Sequence, residues 1–366
     1  MILKGFRARN FRNIESCELE FSPGTNILLG ENAQGKTNAI EGIYIFARGR
    51  SFRKGDDKDL VKFGTDGFNI SIDYNDNTGE NTLEYALHGR ERRRKKNGYK
   101  ITRVSEMMGS FRAVLFSPDD LTLVKGGPDE RREFLNVAIS QCYPSYIAFY
   151  SDYKKALENR NALLKNASKG LYFDERELLA WSEQLAEYAS FVYLKRKEYI
   201  KKLEVYASRF MKDISDGREE LLLSYKSDIC CESDLREDIV REYIAVFTEN
   251  LARERAAGVS LYGPHREDIF ITVNGKDARI FSSQGQQRSI VLSLKMAEGE
   301  VSRELFSEYP VFLFDDVLSE LDEKRQSFVL SGMTGRQIII TSCERLRVAG
   351  DVTEVKGGYF EKCICT

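Results

Sequence analysis

The chain has 366 residues, 42% of them hydrophobic and 31% charged, with a formal net charge of −2. That length accommodates two compact units and a sizeable core, and the near-neutral balance means that any nucleic-acid-binding surface has to be local rather than global. Apolar runs extend over only a few residues, so no segment is expected to span a bilayer and no membrane partner is expected. The N-terminus, Met1 to Arg7, carries no apolar stretch of signal-peptide length, so a cytoplasmic location is expected. Seven cysteines without C-x-x-C spacing and only two histidines argue against a zinc site and for reduced, mostly buried thiols.

Residues 1–21 read as a β-hairpin. Leu3, Phe6, Ala8 and Phe11 approximate one inward face, and Cys17, Leu19 and Phe21 alternate with Glu18 and Glu20. Pro23-Gly24 turns the chain into Ile27, Leu28 and Leu29, a short buried strand. Gly30 to Thr37 then fits G-x-x-x-x-G-K-[ST], and the helical apolar pattern of Ile40, Ile43 and Tyr44 follows at once. A chance match to the motif somewhere in a chain of this length is on the order of 1%, and the flanking strand and helix make it rarer. The loop residues Gly30, Glu31, Asn32, Ala33, Gln34, Gly35, Lys36, Thr37 and Asn38 are therefore assigned to nucleotide binding. Successive backbone N–H groups and the helix N-terminus face one anion. Lys36 is expected at the β- and γ-phosphates of ATP as a catalytic group, and the Thr37 hydroxyl at Mg²⁺. The helix should stop near Gly49, followed by the basic cluster Arg48, Arg50, Arg53 and Lys54, which is open to reading as a nucleotide or DNA contact or as a solvated helix end.

From Gly67 to Val104 short strands alternate with turns. Residues 90–100 are rich in Lys and Arg around Asn97-Gly98, a two-residue hairpin turn signal. Arg92, Arg93, Arg94, Lys95 and Lys96 are candidate DNA-backbone contacts. Charge on an edge hairpin is equally a solubility device.

Between about Asp129 and Gly258 strands are expected to vanish. Tyr143, Tyr150, Leu157 and Leu164 lie seven apart, as do Leu178, Leu185, Val192, Tyr199 and Tyr206, which predicts two antiparallel amphipathic helices turning near Lys169-Gly170. A third helix fits Leu235 to Leu251. Asn274-Gly275 is another hairpin turn, and Phe281 to Arg288 opens a helix through Met296. Val311 to Phe314 is an apolar strand ending in Asp315-Asp316. A carboxylate there, opposite a phosphate loop, suits the second Mg²⁺-binding element, with Asp315 for the metal and Asp316 to polarise the attacking water. Ser319-Glu320-Leu321-Asp322 follows, and Gln337 to Ile340 forms one more apolar strand ending at Thr341-Ser342.

In this order the motifs resemble the ABC-type ATPase heads of the SMC-like branch and, more closely, the RecF family of bacterial recombination and gap-repair ATPases. The resemblance rests on Arg12-Asn13-Ile14 with Gly30 to Asn38, on Ser117 to Leu121, Lys125 to Pro128 and Arg131 to Leu135, and on Tyr262 to Arg266 and Ser319 to Asp322, covering essentially the whole chain. It implies an α/β fold, a P-loop NTPase head with a mixed-sheet core and an inserted, mainly helical second domain. The division implied is 1–118 plus 301–366 for the ATPase core and 119–300 for the helical lobe with the signature. It also makes Ser283, Gln284, Gly285 and Gln286 the ABC signature, acting in trans, and Ser319 and Asp322 the D-loop.

An ATP-joined homodimer follows from that resemblance, as does binding to single-stranded, gapped or junction DNA. So does cooperation with RecR and RecO in loading RecA onto single strands coated by SSB. Several positions depart from the pattern: the signature reads Ser-Ser-Gln-Gly-Gln, Asp316 stands where Glu is usual and predicts slow hydrolysis, Thr341 to Cys343 replace the switch histidine, and Asn136 replaces an Asp. Two other readings stay open, a transporter-type or SMC-like ABC subunit and an ATP-binding adapter without significant turnover.

Overall fold

Alternation at the N-terminus becomes the centre of an antiparallel sheet. The computed structural model describes residues 1–229, 233–345 and 349–363. Strand Ile2–Phe11 pairs with Ile14–Glu20 on one side and with Gly67–Asp76 on the other. Leu3, Phe6, Ala8 and Phe11 all point into the core, although Leu3 and Phe6 are three apart; a register shift between Leu3 and Gly5 absorbs the odd residue. The sheet continues through Gly79–His88, Glu91–Lys96 and Tyr99–Ile101. Its last turn is Asn97-Gly98, both at positive φ as a two-residue hairpin turn requires.

A second sheet of six strands runs in the order Tyr359–Cys363, Asp351–Lys356, Thr25–Leu29, Ile338–Ser342, Val311–Asp315, Ala113–Phe116. All are parallel except the antiparallel strand Tyr359–Cys363 at the edge. Val311 to Asp315 and Ile338 to Ser342 are buried throughout, which is why they read as unbroken apolar runs rather than as alternation. The strand Ala113–Phe116 is an equally unbroken and buried apolar run that the sequence reading passed over, whereas the hairpin of residues 351–363 carries no such run. Helix Lys36–Arg48 touches strands of both sheets and is buried almost all round, so its apolar residues Ala39, Ile40, Ile43, Ile45, Phe46 and Ala47 cover more than one stripe.

Two compact units result. The first comprises residues 1–121, 206–218 and 283–366, and the second 122–205 and 219–282. The helix Gln284–Phe306, which opens on the signature segment, thus belongs to the first unit, along with both large sheets. The sequence-based division had set residues 119–300 apart.

The second unit is mainly helical. Helices Pro144–Ser168 and Glu175–Ile214 run antiparallel, as Phe149 against Tyr188 and Phe191, and Arg160 against Ser182, demonstrate. Two expectations need correction. A strand, Leu221–Lys226, lies within the stretch expected to be free of strands and pairs with Asp268–Val273. The buried stripe of the first long helix is Tyr146, Tyr153, Ala156, Arg160 and Leu164, not Tyr143, Tyr150 and Leu157. Leu178, Leu185, Val192 and Tyr199 are buried as expected, but Tyr206 is not. A straight helix drifts by ~20° per heptad, so after four heptads a seven-residue row leaves the seam. Among the described residues no helix is long and apolar enough to cross a membrane. Cys17, Cys142 and Cys343 are thiols rather than disulfides.

Candidate nucleotide site and signature segment

Parallel register brings three chain segments to one edge of the mixed sheet. Ser342 pairs with Leu29 and Asp315 with Thr341, so the loop after Leu29, the Asp315-Asp316 pair and residues 341–343 all leave the sheet at the carboxyl ends of neighbouring strands. Open α/β sheets bind ligands at that edge. Gly30 begins the loop where any Cβ would run into the Val355 carbonyl of the adjacent strand, so only glycine fits.

The loop ends in the helix N-terminus. Gly35 occupies the cap position at φ 111°, no side chain caps it, and the first turn carries no acidic residue. The first-turn N–H groups are therefore left for an anion. Lys36 is buried and turns its ammonium back over the loop, onto the carbonyls of Gly30 and, at 3.0 Å, Glu31. Its third neighbour is Cys343 Sγ at 3.3 Å, and that thiol donates to Asn32 Oδ1 at 3.0 Å. Gln34 is fixed from the other side by backbone N–H groups of Gly357 and Gly358.

Opposite the loop, Thr37 Oγ1 donates to Asp315 Oδ1 at 2.8 Å, and Thr341 Oγ1 reaches the same oxygen at 3.0 Å. Burial raises the Asp315 carboxyl above the usual range against these two hydroxyls and the nearby Arg53, with the charge of Asp316 adding to the rise. Hydroxyl and carboxylate oxygens side by side form the hard donor set that Mg²⁺ prefers. Asp316 takes φ 54°, a left-handed conformation costly for a residue with a Cβ. Its N–H donates to Thr341 Oγ1 at 2.9 Å, and the turn is closed by Ser319 Oγ donating to its carbonyl at 2.8 Å. Among the described residues the Asp316 carboxylate has no hydrogen-bond partner.

Sequence reasoning missed the layer that supports this loop. Asn38 Nδ2 donates to Asn13 Oδ1 at 2.6 Å, Asn13 Nδ2 to the Ala33 carbonyl at 2.9 Å, and Arg53 Nη1 to Asn38 Oδ1 at 2.9 Å. Glu41, fully buried on the phosphate-loop helix, holds Arg12 through two hydrogen bonds of 3.0 and 2.6 Å and lies 3.4 Å from Arg53. A charged residue on the inner face of a helix, at Glu41, was the available signal. Thr341 and Cys343, noticed only as replacements for a histidine, both belong to the site.

The candidate signature segment, residues 283–286, opens the helix Gln284–Phe306 through a closed capping box: Gln286 N donates to Ser283 Oγ at 3.2 Å and Ser283 N to Gln286 Oε1 at 2.8 Å. Ser283 and Gln284 are exposed, and so are Ile280 and Phe281 just before them. Asp322 caps the helix Glu323–Gly332 by accepting from Arg325 N at 2.9 Å.

On the basic hairpin, Arg92 pairs with Asp57 at 2.6 Å, Arg93 with Glu91 at 2.9 Å and Lys95 with Glu84 at 3.6 Å. Arg94 stacks over Tyr85, and Lys96 donates to Ser110 Oγ. The five candidates thus have partners in this conformation. Asn136 is buried and accepts from Tyr146 Oη at 2.8 Å and from Arg196 at 3.0 Å.

A parallel core in which one strand separates the phosphate-loop strand from the carboxylate strand, in one unit with a capped signature helix, defines an ABC-type ATPase head of the P-loop class. The family model described as RecF/RecN/SMC N terminal domain matches residues 2–362. Within it the chain belongs to the RecF family. It is 36% identical over 345 residues to the DNA replication and repair protein RecF of Clostridioides difficile strain 630, covering 94% of this chain and 92% of that one. Identity is 41% over 340 residues, with 92% and 91% covered, for the protein of the same description from Exiguobacterium sp. AT1b. A solved structure described as the recombination mediator protein RecF-ATPrS in the RecFOR pathway superposes with TM-score 0.93 at 35% identity, covering 99% of this chain and 98% of that one. The corresponding RecF-ATP structure gives 0.92 at the same identity and coverage.

Proposed function

We propose that this chain binds ATP with Mg²⁺ and pairs with a second copy of itself across the bound triphosphate. In that state it grips DNA during replication and recombinational gap repair. The observation that carries the reading is the contact between Thr37 and Asp315 beside an uncapped helix N-terminus and a buried lysine. Each element answers a different part of Mg·ATP. The N–H groups and Lys36 suit the phosphates, whose oxygens compete with the Gly30 and Glu31 carbonyls for the ammonium donors. Thr37 and Asp315 would hold Mg²⁺, which neutralises charge developing on the phosphates.

Hydrolysis is assigned to Asp316. Its carboxylate stands next to the metal-binding position and without a protein partner among the described residues, so it is free to accept a proton from water. The side chain is one methylene shorter than glutamate, which supports slow turnover.

Pairing is supported by the form of the signature. Ser283 Oγ accepts from its own helix and keeps its hydroxyl proton to donate to a partner's γ-phosphate. Exposed Ile280 and Phe281 beside it supply apolar area of the kind a protein interface covers. ATP bound in such a joint adds its binding free energy to association, and hydrolysis withdraws it. The names of the relatives point the same way, since they describe a replication and repair protein and a recombination mediator of the RecFOR pathway. RecR- and RecO-type proteins are the partners inferred, with RecA loading as the outcome.

The test is DNA binding by the purified protein on duplex, single-stranded and gapped substrates, with and without ATP. Tighter binding in ATP, abolished in Lys36→Met, is expected. Equal binding with and without nucleotide would remove the ATP-gated grip.

A further inference from the structure

One side chain joins the signature turn to the D-loop. Arg325 lies in the first turn of helix Glu323–Gly332. Its Nε donates to Ser289 Oγ at 3.0 Å and its Nη2 to the Gly285 carbonyl at 3.0 Å, both on the signature helix, while Nη1 pairs with Asp322. The guanidinium fork therefore has two prongs on the signature and one on the D-loop. Asp322 is itself fixed by accepting from Arg325 N, and Gln326 Nε2 holds the backbone on either side of Ser319-Glu320, at the carbonyls of Leu318 and Leu321, at 2.7 and 3.1 Å.

Space is built around this fork. A Cβ on Gly285 would lie 3.2 Å from Arg325 Nη2, closer than most real Cβ contacts, so glycine in the signature leaves room for the guanidinium as well as for any phosphate. Ser289 is buried, and in this structure its hydroxyl meets Arg325. Lysine cannot reproduce this arrangement, because an ammonium is a point charge without a planar fork.

We propose that Arg325 is a positioning residue that locks residues 283–286 and 319–322 into one rigid surface, so that the signature and the D-loop meet the partner's nucleotide together. It acts by keeping the capped signature turn at a fixed place relative to Asp322. The proposal rests on the ATP-joined pair put forward above, and it adds the residue that transmits closure between the two motifs.

The test compares wild type, Arg325→Ala, Arg325→Lys, Ser289→Ala and the Arg325→Ala/Ser289→Ala double variant, with Ser283→Arg as the control for pairing. Monomer affinity for a fluorescent ATP analogue, the dimer dissociation constant in Mg·ATP and single-turnover hydrolysis are measured for each. Expected are unchanged nucleotide affinity throughout and a dimer weakened on the order of tenfold or more in Arg325→Ala, from loss of charge-assisted hydrogen bonds. Arg325→Lys should give no rescue, and the Ser289→Ala penalty should disappear in the Arg325→Ala background. A merely structural role would instead lower the melting temperature and nucleotide affinity together. If Arg325→Ala does not fold, Arg325→Lys and Ser289→Ala carry the test. Wild-type dimerisation in these variants, or penalties that add, overturns the proposal and leaves the paired reading standing. A wild-type protein that stays monomeric in Mg·ATP overturns both.

Discussion

Thr37 Oγ1 and Asp315 Oδ1 lie 2.8 Å apart although 278 residues separate them, because their strands stand in one parallel sheet with only Ile338–Ser342 between them. The hydroxyl comes from the first turn of the phosphate-loop helix and the carboxylate from the end of a buried strand. Asp315→Ala should therefore lower affinity for Mg·ATP by ~10- to 100-fold, as loss of metal-site groups commonly does. Affinity for ATP in EDTA should change little. Fluorescent-nucleotide titrations with and without Mg²⁺ check this, and an equal loss in both conditions would mean that Asp315 shapes the loop rather than serving the metal.

Asp316→Asn should leave nucleotide binding intact and slow single-turnover hydrolysis by ~10²- to 10⁴-fold, the range of a missing general base. Quenched-flow measurement of phosphate release at saturating protein decides it. Hydrolysis at the wild-type rate would take the water-polarising role away from Asp316.

Much of the site could be read from residue order alone. Glycine spacing before a lysine and threonine, and two aspartates after an unbroken apolar strand, are local patterns with a physical cause, and the structure puts both at the carboxyl edge of one parallel sheet. What escaped was held by long-range interactions. Nothing near Asn13 in sequence shows that it will grip Asn38 and the Ala33 carbonyl, and nothing near Thr341 shows that it will share an oxygen of Asp315 with Thr37. The misplaced helix stripe has a different origin: the buried Tyr146, Tyr153 and Arg160 are themselves seven apart, but an arginine in that row hides it, and the aromatic residues Tyr143 and Tyr150 mark out another row three places earlier. The strand Leu221–Lys226 alternates buried and exposed residues, but it is short and sits among helices.

The hairpin Glu91–Lys96 tests whether charge is spent on solubility or on DNA. The pair of Arg93 with Glu91 is more than 60% exposed on both sides and hence weak, so phosphate can replace that carboxylate, and Arg92 and Lys95 are themselves about half exposed. Neutralising Arg92, Arg93 and Arg94 together should weaken DNA binding and reduce the slope of log affinity against log salt by ~0.9 for each DNA phosphate that is no longer neutralised. Fluorescence anisotropy over a salt series gives the slope. An unchanged slope assigns the hairpin to solubility.

His265 is held neutral in the second unit. Its Nε2 faces the Ser260 carbonyl at 3.1 Å, which can only accept, so that nitrogen carries the proton and Nδ1 accepts from Tyr153 Oη at 2.5 Å. Burial, against the hydrogen bond to Ser260, pushes its pKa from 6.5 down to about 4. Between those values the unfolded chain binds a proton that the folded one refuses. The stabilisation is therefore complete above pH 6.5 and is lost as pH falls towards 4. Lowering pH from 6.5 to 5 should cost about 1.5 kcal/mol through this group. Urea midpoints across that range should fall less steeply in His265→Asn than in wild type, and identical slopes would show that His265 titrates normally.

The central claim, that ATP joins two copies of the chain through the signature, is tested most directly by multi-angle light scattering with and without Mg·ATP, beside Ser283→Arg. Expected are monomers without nucleotide, dimers with it, and a variant that binds ATP yet stays monomeric. Wild-type protein saturated with ATP but monomeric at every concentration, or Ser283→Arg dimerising as wild type does, would contradict it.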